Sequence, residues 1–148
     1  MLDNAKIIVS GKIGFKSYKQ ISDFLKKLKI YHYEKQDGLC IYCEEPVKLN
    51  VKNGRKLATV EHYEPVYITK RRLRKLKRED HRHCLKYGDL TIENTGVACC
   101  KCNSSRGIEI TNPWDWKQRV MQEKGMKLYN SKFKSFWKKM RKRKWRSI

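Results

Sequence analysis

Cys99-Cys-Lys-Cys102-Asn103-Ser-Ser-Arg106-Gly107 is the stretch on which the reading of this chain turns. It joins a Cys-x-x-Cys pair to an amide side chain, and a second pair, Cys40-Ile-Tyr-Cys43, stands far upstream. Four thiolates suit tetrahedral zinc, which prefers soft sulfur and has no redox chemistry of its own. The 55 residues between the pairs exceed what a compact zinc ribbon uses. A zinc ion held this way clamps the start of a hairpin expected after Cys43 to a later helix, and the residues between form a loop out of the site. A closed four-sulfur shell leaves no open position, so this zinc is expected to be structural.

Working outward, 47–52 and 55–62 flank Asn53-Gly54, a dipeptide favoured in two-residue hairpin turns. That pattern predicts a hairpin whose second strand ends in Thr59-Val60-Glu61-His62, with Pro65 limiting further pairing. Residues 88–92 read as a short strand or turn. A helix is expected over about 94–105, stopped by Gly107 and carrying the second cysteine pair. Between them lies a basic insertion, 70–87, which opens KRRLRKLKR, seven basic residues in nine. It reads as a phosphate-contacting arm, against the alternative of a solvated helix or loop.

The flanks look helical. Tyr18, Ile21, Phe24, Leu25, Leu28 and Tyr31 recur at helical spacing over 17–34, with Ser17 as N-cap and Asp37-Gly38 as stop. Asn112-Pro113 is a cap and first-turn pair, and Trp114, Trp116 and Val120 would anchor the helix that follows. A last helix from Ser131 puts Phe133, Phe136, Trp137 and Met140 on one side, the side expected to face inward. Its end, 138–146, again has seven basic residues in nine. Two cysteines remain: Cys84 and Cys100 are expected to be buried free thiols. His81, His83 and Cys84 could bind a second metal, although inside a basic insertion their proximity is better read as incidental.

The chain has 148 residues, with 39% hydrophobic and 34% charged. A single modest core follows, of the kind a bound metal commonly supplements. The net charge of +21 calls for an anionic partner. Nucleic acid leads, an anionic membrane surface comes second, and a cationic protein without chemistry is the bland alternative. No stretch reaches the roughly 20 apolar residues of a membrane span, and the Ile7-Ile8-Val9 run is too short for a signal peptide. An intracellular setting is therefore expected, where six cysteines point to metal ligation over disulfides.

Four segments together resemble the HNH family of nucleases, also called His-Me finger or ββα-metal enzymes. Glu34-Lys-Gln-Asp-Gly-Leu-Cys40-Ile-Tyr-Cys43 is similar to the opening of the zinc knuckle in four-cysteine members. Val60-Glu61-His62 with Pro65 resembles their acidic-His step, and Glu93-Asn94-Thr-Gly-Val-Ala-Cys99 the middle Asn segment. The stretch from Cys99 to Gly107 resembles the terminal helix. The resemblance covers roughly 34–107 and rests on the joint order of segments that are individually weak.

What the resemblance implies is an α+β fold: a small ββα-metal core with a structural zinc knuckle, flanked by N- and C-terminal helices. The divisions are a helical segment at 1–38, a nuclease core at 39–110 with the insertion at 70–87, and a basic aromatic helical segment at 111–148. It implies a DNA endonuclease that nicks or cuts phosphodiester bonds to leave 5′-phosphate and 3′-hydroxyl ends. His62 would be the general base, and Glu61 and Asn103 the ligands of one divalent ion, Mg²⁺ or similar. Asn94 would tie the finger loop and help orient His62, and Cys40, Cys43, Cys99 and Cys102 would hold the zinc.

The chemistry is coherent on its own terms. A divalent ion offsets charge growing on an attacked phosphate, Mg²⁺ needs few protein oxygens, and imidazole can take a proton near neutral pH. Neighbouring cations are expected to depress the His62 pKa. The DNA contacts are expected from Lys70, Arg71, Arg72, Arg74 and Lys75, from Arg106, and from Lys138, Lys139, Arg141, Lys142 and Arg143. The chain departs from the family in two places. Glu61 stands where Asp is commoner, and Asn103 makes an HNN variant. Adjacent strand residues also face opposite ways, so Glu61 and His62 can share a phosphate only where the backbone is irregular.

Double-stranded DNA is the expected partner. A homodimer is compatible with the sequence and would convert a nick into a double-strand cut. Size and basicity resemble small phage-encoded members, which places the protein in bacterial or phage-infected cytoplasm by analogy. Two other readings stay open: a zinc-stapled nucleic-acid-binding module without catalysis, and an RNA-directed nuclease.

Overall fold

The computed structural model describes residues 18–76, 87–107 and 110–145. Among them are five α-helices and one two-stranded antiparallel sheet, a small α+β fold. The order is α1 (Tyr18–Lys35), β1 (Ala58–His62), α2 (Val66–Leu76), β2 (Thr95–Cys99), α3 (Cys100–Arg106), α4 (Pro113–Lys124) and α5 (Lys134–Lys142). Among the described residues no helix is long and apolar enough to cross a membrane.

The predicted hairpin across Asn53-Gly54 does not form. β1 pairs instead with β2, in register from Ala58 opposite Cys99 to His62 opposite Thr95. Burial explains the choice. All five residues of β2 are buried, whereas 50–56 are exposed and offer little apolar face to a partner strand. Across the turn the 47–57 segment keeps two bridging bonds, Lys48 N–H to Lys56 O and Ala58 N–H to Lys48 O. The expected helix at 94–105 is likewise divided. Thr95-Gly-Val-Ala-Cys99 is strand: glycine and the β-branched Thr95 and Val97 sit poorly in a helix, and the β-branched pair suits a buried sheet. The helix is only α3, and it ends before Gly107 as expected. Gly96 has no room for a side chain, since a Cβ there would overlap the Tyr63 hydroxyl.

Helix α1 follows the predicted face: Ile21, Phe24 and Leu28 are buried. Phe24 and Leu28 join Leu90 in a small apolar cluster that also touches Val60 and Tyr87. The helix is tied to the free side of β2. Gln36 donates to Val97 O and accepts from Val97 N–H, as a neighbouring strand would, and His32 Nε2 lies 2.8 Å from Thr95 Oγ1. Asp37 and Gly38 follow with positive φ and end the helix. Ser17 lies outside the described residues.

The second cluster holds the cysteine pairs, β1, β2 and the C-terminal helices. Asn112 caps α4 through Trp114 N–H, Trp116 and Val120 are buried, and Trp114 packs against the core. On α5, Trp137 is fully buried, its ring 5.6 Å from Tyr42, and its indole N–H donates to Ile41 O. Lys117 of α4 is buried too. Its ammonium donates to Ile41 O, Tyr42 O and the Glu44 carboxylate, so the loop carrying the first cysteine pair is held from outside by α4 and α5.

Candidate functional site

The four cysteines converge. Cys40 and Cys43 sit in the turn after α1, Cys99 ends β2 and Cys102 lies in α3. Their Sγ atoms all lie within 4.8 Å of one another, and all four residues are buried. Crowded thiols compete for protons. Hydrogen bonds with Cys102 and Cys40 hold Cys43 far below the usual thiol range, and bonds with Cys40 and Cys43 push Cys102 far above it. Four ionised sulfurs at this spacing need a cation among them, and a soft-ligand tetrahedral ion such as zinc fits the donor set. Cys100 stands outside this cluster. It is half-exposed with Ser104 at 3.8 Å, not the buried thiol expected, because it is the first residue of α3 and turns away from the sulfurs. His81, His83 and Cys84 lie outside the described residues.

This clamp sets α3 against β1 and β2. Asn103 donates its amide to Thr59 Oγ1 at 2.9 Å and, more weakly, to Val60 O at 3.4 Å. Its Oδ1 takes no part in these bonds. Val60, Glu61, His62 and Asn103 therefore border one cleft of about 240 Å³, closed on another side by Pro65, Val66 and Tyr67. Two atoms of its lining residues are notable. Glu61 Oε2 and His62 Nε2 are buried and have no hydrogen-bond partner. Buried polar atoms are seldom left this way, because each costs about 1–3 kcal/mol. Although adjacent on β1, Glu61 and His62 both reach this cleft, where the strand ends.

The Glu61 carboxylate is 3% exposed, and burial pushes its pKa up to about 7 against the pull of Arg106. Arg106 overturns one expectation, since it is no surface phosphate contact. It is 4% exposed, and its guanidinium donates to Glu61 Oε1 at 2.8 Å and to the Tyr42 hydroxyl. It also donates to the carbonyls of His62, Tyr63, Ile110 and Thr111. Every N–H is engaged, and a buried carboxylate is what brings the guanidinium inward.

The His62 imidazole sits against the loop that leaves the basic insertion. It is hydrogen-bonded to the Tyr87 backbone, and its pKa is lowered chiefly by burial. Arg106 is a minor contributor to that lowering, so the expected cause, neighbouring cations, is secondary. A Cβ on Gly88 would come within 3.0 Å of the ring, so glycine leaves the imidazole its room. Asn94 binds this loop to the end of β1. Its Oδ1 accepts from Glu64 N–H, its amide donates to Asp89 O, and its own carbonyl accepts from Tyr63 N–H. No sequence signal singled out Gly88 or Tyr87.

The expected basic contacts are divided. Helix α2 begins at the cleft and is anchored by buried Ile68 and Thr69, with Lys70 half-buried and Arg71 exposed. The side chains of Arg72, Arg74 and Lys75 lie outside the described ones. Lys138, Lys139, Arg141, Lys142 and Arg143 are all exposed on or just after α5, and the Arg143 guanidinium lies 4.3 Å from the Trp145 ring centre. No family model, curated protein or solved structure matches this chain.

Proposed function

We propose that this chain is a metal-dependent DNA endonuclease of the HNH, or ββα-metal, kind, in the variant with asparagine at the third position. One observation carries the reading. Glu61 and His62, each with a buried, unpartnered side-chain atom (Oε2 and Nε2), line a single cleft with Asn103. A strand pair followed by a helix, joined by a four-thiolate cluster, is the scaffold such a site needs. A carboxylate in a chain of net charge +21 would otherwise be an odd lining for a groove that only binds polyanions.

In this reading the Glu61 carboxylate and the Asn103 side-chain oxygen would hold a hard divalent ion, Mg²⁺ or similar. Two protein oxygens suffice, since such ions keep much of their water. When bound, the ion offsets charge growing on the scissile phosphate and on the departing oxygen. The chain's own groups do the rest. His62 Nε2 takes a proton from the water whose oxygen bonds to phosphorus; the P–O3′ bond breaks, and the departing 3′ oxygen takes a proton from solvent, which leaves 5′-phosphate and 3′-hydroxyl ends. The Tyr87 backbone bond fixes the imidazole. Arg106 occupies Glu61 Oε1 and leaves Oε2 for the ion. Asn94 fixes the loop behind both. Lys70 and Arg71, with the cations of α5, supply phosphate contacts to duplex DNA.

The test is nicking of supercoiled plasmid. Wild type should nick with Mg²⁺ and stop with chelator, and His62→Ala should lose at least about 10²-fold, the usual contribution of a positioned base. Equal, metal-independent behaviour of the two proteins would favour a zinc-stapled binding module. Cutting of RNA and not of plasmid would move the substrate.

A further inference from the structure

His62 borders a second cleft as well. Val60 and His62 are common to both, and the second, about 310 Å³, lies between β1 and α1. Its α1 wall is Ile21, Ser22, Leu25, Lys26 and Lys29. The last four fall at spacings of three and four residues, so they form one face of the helix. Lys26 is exposed and Lys29 half-buried. No ion pair engages either ammonium among the described residues. The opposite wall is Tyr87, at the end of the loop that supports the imidazole.

We infer that the strand being cut runs from the Glu61–Asn103 cleft past His62 into this second cleft, with Lys26 and Lys29 of α1 holding the phosphates next to the scissile one. The reasoning is electrostatic and steric. A backbone that presents a phosphate to His62 must leave the site in both directions, and the second cleft is a groove that also has His62 in its lining. The two ammonium groups on its wall, without an ion pair among the described residues, would neutralise the anion passing there, and Ser22 adds a hydroxyl donor. The role of α1 thereby changes from packing alone to substrate contact. This inference rests on the nuclease reading for the direction of the strand. The lysine contacts can be measured without cleavage.

The experiment compares Lys26→Gln/Lys29→Gln with Lys27→Gln/Lys35→Gln, a pair on the same helix that removes the same charge but does not line the cleft. Each is measured in the otherwise wild-type protein for plasmid nicking. Each is also measured in a His62→Ala background for binding to a short DNA duplex across a salt series. Two phosphate contacts contribute about 1.8 to the slope of log K against log salt. The Lys26/Lys29 variant should therefore lose about 12-fold less affinity than its parent between 50 and 200 mM salt. Its KM for plasmid should rise while kcat stays within about twofold, as expected when uniform binding is removed. The Lys27/Lys35 variant should match wild type in both. A slope and KM unchanged in the first variant, or changed equally in both, would overturn the inference while leaving the nuclease reading intact. A reduced slope in a protein that never cuts would uphold the lysine contacts and sink the nuclease reading. Absence of duplex binding by the His62→Ala parent would sink both.

Discussion

Replacing Gly88 with alanine should disable the site from behind, by displacing the His62 ring without removing any functional group. Gly88 has φ of +77°, and a Cβ there would lie 2.8 Å from Val66 Cγ2 and 3.0 Å from His62 Cδ2. Carbon atoms rest about 3.5 Å apart or more, so the imidazole must give by about half an ångström. The left-handed backbone costs an alanine about 1 kcal/mol. Overpacking of this size adds about 1–3 kcal/mol. Urea unfolding should therefore report a loss of about 2–4 kcal/mol. A 1 Å misplacement of a reacting group costs about 10²-fold, so half of that predicts roughly tenfold slower nicking. Duplex affinity should hold, because the atoms nearest the added Cβ belong to Val66 and His62 and to no lysine or arginine. Stability and nicking rate both at wild-type values would refute the placement of His62 against this loop. A stability loss with full activity would refute the claim that the ring's position matters.

Further outcomes follow from the same contacts. The purified protein should carry one zinc per chain by elemental analysis, and Cys102→Ala or strong chelation should unfold the domain, since structural zinc is part of the folding energy. Arg106→Met strands the Glu61 carboxylate in the interior and should cost about 3–5 kcal/mol in urea. Combined with Glu61→Leu, its cost should fall short of the sum of the single losses by about 1–3 kcal/mol. Burial lowers the His32 pKa from 6.5 to about 4. The unfolded chain then binds this proton at a higher pH than the folded chain. Stability from this group is complete above about pH 6.5 and is lost as pH falls toward 4, by up to about 3 kcal/mol. Urea midpoints of wild type and His32→Gln should accordingly differ in pH dependence across that window, with the variant's slope the shallower.

Where meaning lay in local spacing, the sequence could be read directly. The two Cys-x-x-Cys pairs announced a common site because ligand chemistry constrains residue type and spacing together, and the sulfurs do converge. Helix α1, the Asn112 cap and the inward side of α5 were legible from periodicity and capping. The strand pairing was not. Asn53-Gly54 is a strong local turn signal, but β2, 32 residues beyond β1 in the chain, buries more apolar surface, and that competition is invisible locally. The mistaken helix over 94–99 has the same origin, since burial on both faces erases the alternation that marks a strand. Arg106 read as a surface cation because its partner, Glu61, stands 45 residues upstream. Gly88, Lys26 and Lys29 acquire significance only when the fold brings them to His62.

Anomalous diffraction from crystals soaked with Mn²⁺, a hard-ligand substitute for Mg²⁺, and bound to an uncleavable duplex, tests the account most directly. It predicts two peaks per chain: a zinc peak among Cys40, Cys43, Cys99 and Cys102, and a manganese peak between Glu61 Oε2 and Asn103 Oδ1, within one water of His62 Nε2. A duplex seated elsewhere, with no manganese at Glu61 and that carboxylate still closed on Arg106 alone, would contradict it.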